Sequence, residues 1–215
     1  MKLKDLFETP ELRDREIDPI KAGWQDVKLD IMSYEAVERL YNKLETVDPV
    51  IIDGKEIVLY LNKKKLMCTA FIKNYNKDTN ENTLRIINKI VFYYPRPHSN
   101  LPRGITNVLQ VSNVYTDKEF EGQGLASLMY ALLVKEGFTV VLDRVQYLGG
   151  QKLWRRMARR AHLNDYKINV WNEDNGYVKD EEGKILEYDN SNIEDSIIWK
   201  PTEIGRQTLL ILSGK

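Results

Sequence analysis

Residues 114–127, reading V-Y-T-D-K-E-F-E-G-Q-G-L-A-S, set Gly122 and Gly124 between a run that reads as a strand and a run that reads as a helix. The chemistry such a spacing supports is anion binding. Glycine lacks the Cβ that keeps a ligand off the backbone, so its N–H can approach phosphate oxygens, and the first turn of a helix adds unpaired donors and a positive dipole end. The same glycines also suit a turn that binds nothing. A P-loop is excluded, because Gly124 is followed by Leu125 and Ala126 rather than Lys and Ser or Thr. A dinucleotide fingerprint needs a third glycine and an acidic residue further on.

The elements that must position this bend follow from periodicity. Residues 105–114 carry Ile105, Val108, Leu109, Val111 and Val114 without proline or glycine, a density that predicts a strand buried on both faces. Residues 123–136 place Leu125, Leu128, Met129, Leu132 and Leu133 at helical spacing, and Gly137 is set to end that helix. Upstream, Ser33 is a candidate N-cap for a helix over 34–44 with Ala36, Val37, Leu40 and Leu44 on one face. Asp53-Gly54 marks a turn, and 55–61, 65–75 and 84–94 read as three antiparallel strands, the first two joined tightly near 62–64. Downstream come a strand at 138–143, a helix at 151–161, closing strands at 166–171 and 208–212, and a hairpin over 177–188 turning at Glu182-Gly183. The order is mixed α/β, with 1–54 as an N-terminal extension and first helix packed on a core of 55–215.

Composition sets the class. The 215 residues are 42% hydrophobic and 30% charged, which excludes disorder and predicts one substantial core. No apolar run approaches the ~20 residues of a membrane span, and the first residues lack a signal-peptide core. Cys68 is the single cysteine, so no internal disulfide forms; with the missing leader this points to a cytoplasmic protein. Its place within 66–72 suits a small packed hydrophobe. The 32 basic and 32 acidic residues cancel, which weighs against nucleic acid as the partner of the whole surface.

The stretch resembles the GNAT superfamily of acyl-CoA-dependent N-acyltransferases. The signature Arg/Gln-x-x-Gly-x-Gly/Ala after the fourth strand is matched by Glu121, Gly122, Gln123, Gly124, Leu125 and Ala126. Val114, Tyr115 and Thr116 are similar to the residues before the loop in some members, Ser127 to Tyr130 to the start of the third helix, and 138–143 to the fifth strand. The specific match covers roughly residues 105–161, and the likeness is greatest to members carried by tailed bacteriophages. The resemblance implies a central, mostly antiparallel mixed sheet flanked by helices, with the fourth and fifth strands splayed by a bulge. It implies acetyl-CoA as acyl donor, its pantetheine beside Val114, Tyr115 and Thr116 and its pyrophosphate on Glu121, Gly122, Gln123, Gly124, Leu125, Ala126 and Ser127. The acceptor is an amine, on a protein or a small molecule.

Three residues depart from the family pattern. Glu121 puts a carboxylate where Arg or Gln is usual, opposing a pyrophosphate by ~1 kcal/mol in bulk water at 4 Å and about 4 at an effective dielectric of 20. Either its side chain turns away or a cation such as Lys118 offsets it. Gln110 occupies a strand position where many members place a glutamate base, and Trp154 stands where a tyrosine often protonates the leaving thiolate; an indole N–H is no such acid. Amide formation needs an uncharged amine and a protonated thiolate. Asp143 is the candidate base and Tyr147 the candidate acid; the plainer reading is that Asp143 caps a turn and Tyr147 packs. His98 lies in a proline-fixed loop, facing substrate or solvent, and His162 is placed to cap a helix C-terminus.

Along 151–161, Lys152, Arg155, Arg156, Arg159 and Arg160 form one face and Leu153, Trp154, Met157, Ala158 and Ala161 the other. The basic face is either the solvated side of an amphipathic helix or a seat for an acidic partner such as the CoA 3′-phosphate or nucleic acid. Rivals to the transferase reading are a binding protein that kept the fold and lost the reaction, and an enzyme of the same fold that modifies nucleic-acid bases.

Overall fold

The computed structural model describes residues 31–44, 49–77, 80–95, 101–142, 148–199 and 208–215. These make a mixed α/β structure with few helices and mostly antiparallel strand pairing. They fall into two compact units, one holding the described residues up to Val91 together with Asn113–Met129, the other Phe92–Ser112 together with Tyr130–Lys215.

The first unit opens with β1 (Ile31–Ser33) and α1 (Tyr34–Leu40). Ser33 caps the helix as its sequence predicts, its hydroxyl accepting from the Ala36 N–H at 3.3 Å. The helix stops at Leu40, four residues earlier than the periodicity suggests. Tyr41 turns extended and buries its ring edge-on to Tyr60 and Phe71, and the Leu44 N–H then donates to the Leu59 carbonyl. Leu40, expected on the core face, is consequently 44% exposed. Tertiary packing of one aromatic outweighs another turn of helix here.

After β2 (Asn42–Lys43) and β3 (Val50–Ile52), the Asp53-Gly54 turn has both residues at positive φ, as a two-residue hairpin requires. It leads into β4 (Lys55–Asn62), β5 (Met67–Asn76) and β6 (Glu81–Tyr93), paired in that order and antiparallel. One face packs Val58, Tyr60, Phe71, Leu84 and Ile86 against Val37 of α1. The β5–β6 register contains one slip: Ala70 opposes Asn88 but Phe71 opposes Ile86, so Ile87 is an extra residue on β6, a β-bulge.

The second unit orders its strands β7-β8-β11-β9-β10, with β7 (Val108–Thr116) contributing its first residues, β8 (Thr139–Val141), β9 (Tyr166–Asn172), β10 (Gly176–Tyr177) and β11 (Thr208–Gly214). The β7–β8 pair is parallel, the rest antiparallel. Strand β7 begins three residues later than predicted. It is enclosed on both faces only at Leu109, Gln110 and Val111; its end toward Thr116 is half-exposed, which corrects the expectation of a strand buried throughout. Helix α2 (Leu125–Lys135) ends at Gly137 (φ 84): the Gly137 and Phe138 amides reach back to the Val134 and Leu133 carbonyls, closing the C-terminus as the glycine predicts. Helix α3 (Leu148–Arg160) and the short α4 (Asp195–Trp199) complete the unit.

Candidate functional site

The bend after β7 is built by a chain of backbone and carboxylate contacts within the first unit. The Asp117 N–H donates to the Ile87 carbonyl at 2.8 Å, and the Thr116 hydroxyl accepts from the Asn88 amide nitrogen at 2.6 Å. Asp117 then caps a single 3-10 turn, Lys118–Phe120, its carboxylate accepting from the Glu119 N–H at 3.1 Å. Phe120 is 1% exposed, with the Lys55 ammonium 5.7 Å and the Arg85 guanidinium 5.8 Å from its ring centre. Those two cations also grip Glu119, at 3.0 and 2.8 Å, and Arg85 reaches Asp117 at 3.7 Å. Hydrogen bonds from Arg85 first and Lys55 second hold the Glu119 carboxyl below its ordinary value.

Beyond Phe120 the chain turns through two left-handed glycines, Gly122 at φ 77 and Gly124 at φ 75. An L side chain resists that region, so the shape itself selects glycine. A Cβ placed on Gly122 would meet nothing within 4 Å, so the space in front of its backbone is open. Within the bend the Glu121 and Gln123 amides donate to Lys118 and Phe120 carbonyls at the long distances of 3.4 and 3.3 Å, and the first helical bond runs from Leu128 to Gly124. The Gly122 and Gly124 amides and those of Leu125, Ala126 and Ser127, at the first turn of α2, take no part in these bonds. Leu125 buries its side chain, and the Ser127 hydroxyl is enclosed without a partner.

Val114, Tyr115 and Thr116, the residues expected beside a pantetheine, are half-buried. Burial raises the Tyr115 phenol above its ordinary value, Asp117 and Glu121 raise it further, and Arg85 opposes them. Glu121 is exposed, and its charge and that of Arg85 act in opposite directions on the Tyr115 phenol. Arg85, Lys55 and Asn88 were not legible as partners of the bend: they lie 28 to 64 residues away along the chain, and no local signal ties them to it. The Asn88 amide is fully enclosed, and its oxygen has no partner; an orphaned buried acceptor costs on the order of 1–3 kcal/mol.

In the second unit Gln110 is buried, its amide nitrogen donating to the Leu142 carbonyl at 3.4 Å. It clips the end of the short β7–β8 pairing, which runs from Val108↔Thr139 to Gln110↔Val141. Trp154 is 1% exposed and packs its indole 5.7 Å from the Tyr130 ring, a core residue rather than a surface donor. On the basic face of α3, Arg155 pairs with Asp195 at 2.8 Å and lies 5.3 Å over Trp199, so α4 neutralises part of that face. His162 does not cap α3: the Asn164 side chain does, donating to the Arg160 carbonyl at 2.7 Å, while His162 is exposed. Cys68 is completely buried, and burial pushes its thiol far up, so it is no nucleophile. Asp143, Tyr147 and His98 lie outside the described residues. Among the described residues no His, Cys, Asp and Glu cluster suited to a metal occurs, and no helix is long and apolar enough to cross a membrane. A shallow concavity lined by Lys43, Leu44, Val50 and Glu56 sits at β2 to β4 and shares no residue with the bend.

No family model and no curated protein matches the chain. Among solved structures it is similar to the ribosomal-protein-S18-alanine N-acetyltransferase from Escherichia coli, at 11% identity over 70% of this chain and 68% of that one, with a TM-score of 0.28. A likeness at that score carries no argument about activity, so the functional reading rests on the geometry of the bend.

Proposed function

We propose that the chain is an N-acetyltransferase that takes acetyl-CoA as donor and passes the acetyl group directly to an amine. The observation that carries this reading is the bend itself: two left-handed glycines lead into the first turn of α2, the space beside Gly122 is open, and the Gly122 and Gly124 amides take no part in the turn's backbone bonds. Backbone donors with a helix dipole behind them match the diphosphate of a coenzyme. Glu121, Gly122, Gln123, Gly124, Leu125, Ala126 and Ser127 would hold that group, and Val114, Tyr115 and Thr116 the pantetheine. When bound, acetyl-CoA supplies the thioester. The protein must take a proton from the amine and return one to the thiolate, roles that fall to Asp143 and Tyr147 on sequence grounds. Acceptor choice falls to the 1–30 arm, the 95–102 loop and the 177–188 hairpin, since loops on a scaffold carry specificity. The acceptor class extends to nucleic acid only through the basic face of α3.

One set of observations favours a second reading, a coenzyme-binding protein without the reaction. Gln110 is consumed by a structural bond and Trp154 by the core, so two positions that bear catalytic groups in the resembled family are inert here. Calorimetry with acetyl-CoA, followed by release of free CoA thiol in the presence of an amine panel, separates the readings. Binding with amine-dependent thiol release supports the transferase, and binding without release supports the second reading. Absence of binding removes both.

A further inference from the structure

Asn88 is an unusual residue for the inside of a strand. It is fully enclosed, its nitrogen donates to the Thr116 hydroxyl at 2.6 Å, and its oxygen has no partner. Its neighbour Ile87 is the bulged residue that β5 leaves unopposed, and the carbonyl of Ile87 accepts the Asp117 N–H at 2.8 Å. Two consecutive residues of β6 thus grip two consecutive residues at the point where β7 ends and the bend starts. Without the bulge, the carbonyl of residue 87 and the side chain of residue 88 would keep the alternation of a regular ladder. An apolar side chain at 88 would avoid the orphaned oxygen, so stability alone does not select asparagine there.

We propose that Asn88, acting with the bulge at Ile87, is a positioning residue for the bend: it fixes the direction in which the chain leaves Thr116 and so aims the amides of Gly122, Gly124 and the first turn of α2. Several donors must converge on one anion, and an error at Thr116 and Asp117 is carried through the rigid 3-10 turn to all of them. The ligand in this inference rests on the acetyl-CoA reading; the positioning itself does not.

The test is Asn88→Leu in the full chain, with three readouts: the unfolding midpoint, residue-resolved hydrogen exchange without ligand, and the Kd for CoA. The expected result is a midpoint unchanged or raised, at least tenfold faster exchange of the Asp117 and Phe120 amides, and a Kd about tenfold weaker. Thr116→Val removes the same bond from its other side and is expected to give the same local acceleration; it serves if the leucine variant does not fold. Unchanged exchange at Asp117 and Phe120 in a folded variant overturns the inference, whatever CoA does. Accelerated exchange in a chain whose wild type binds no CoA upholds the positioning and sinks the coenzyme reading instead.

Discussion

The bend after β7 and the turn of the 177–188 hairpin are alike in sequence and opposite in chemistry. Both are exposed, rich in acid, and pass through glycines at positive φ with open space outside them, Gly122 and Gly183 respectively. In the hairpin, the Asp180 carboxylate accepts from the Glu182 and Lys184 amides at 3.0 and 2.8 Å, and the Asp180 backbone exchanges bonds with Gly183 and Lys184. That turn satisfies its own donors. In the bend, the corresponding carboxylate, Asp117, accepts from Glu119, farther ahead of the glycine, and the Gly122 and Gly124 amides take no part in the turn's backbone bonds. A left-handed glycine therefore marks a tight turn in both places. What distinguishes a candidate ligand site is the set of donors left over after the turn has closed.

The sharpest way to break that comparison is to strain both glycines equally. Gly122→Val and Gly183→Val are each expected to cost about 1–2 kcal/mol in urea unfolding, because both force a side chain into the left-handed region. Only Gly122→Val is expected to weaken CoA binding, by more than tenfold in calorimetry; equal Kd values for the two variants would erase the distinction. Glu121→Gln removes the carboxylate opposing the ligand. At ~1 kcal/mol for a screened pair it should tighten CoA about fivefold at low salt, with the gain shrinking as salt rises. Asp180→Ala should lower stability by about 1 kcal/mol through its lost turn bonds and leave the CoA Kd where it was.

The smallest effect concerns acid. The Glu119 carboxyl is held below its ordinary value of 4.5 by Arg85 and Lys55. A carboxylate lowered in the folded state contributes stability that is present above its unfolded value and is lost as pH falls through the folded one. Exchange at Asp117 and Phe120, corrected for intrinsic rates, should accelerate as pH drops below 4.5 in the wild type. The Glu119→Gln variant should show no such step.

Much of the architecture was readable from near neighbours. The Ser33 cap, the Asp53-Gly54 turn, the Gly137 helix end and the Glu182-Gly183 turn each depend on a few adjacent residues, and each formed where the sequence placed it. The misplacements have different causes. Leu40 lost its core position because Tyr41 found Tyr60 and Phe71, a contact between residues distant in the chain that overrode a spacing argument. His162 lost a helix cap to a near neighbour, Asn164, whose shorter side chain reaches the Arg160 carbonyl four residues back. Gln110 and Trp154 depart in sequence from the pattern of the resembled family, and their burial shows the structural work that occupies them.

The sequence by itself determined that a glycine bend would stand between a strand and an amphipathic helix, because φ preference and apolar period are local properties of the chain. Tertiary structure alone decided which amides of that bend stay open and what aims them. Those answers depend on Ile87, Asn88, Arg85 and Lys55, which antiparallel pairing and a one-residue slip in register bring to the bend from elsewhere in the chain. A register is settled by the fit of two whole strands, and no window of adjacent residues contains it.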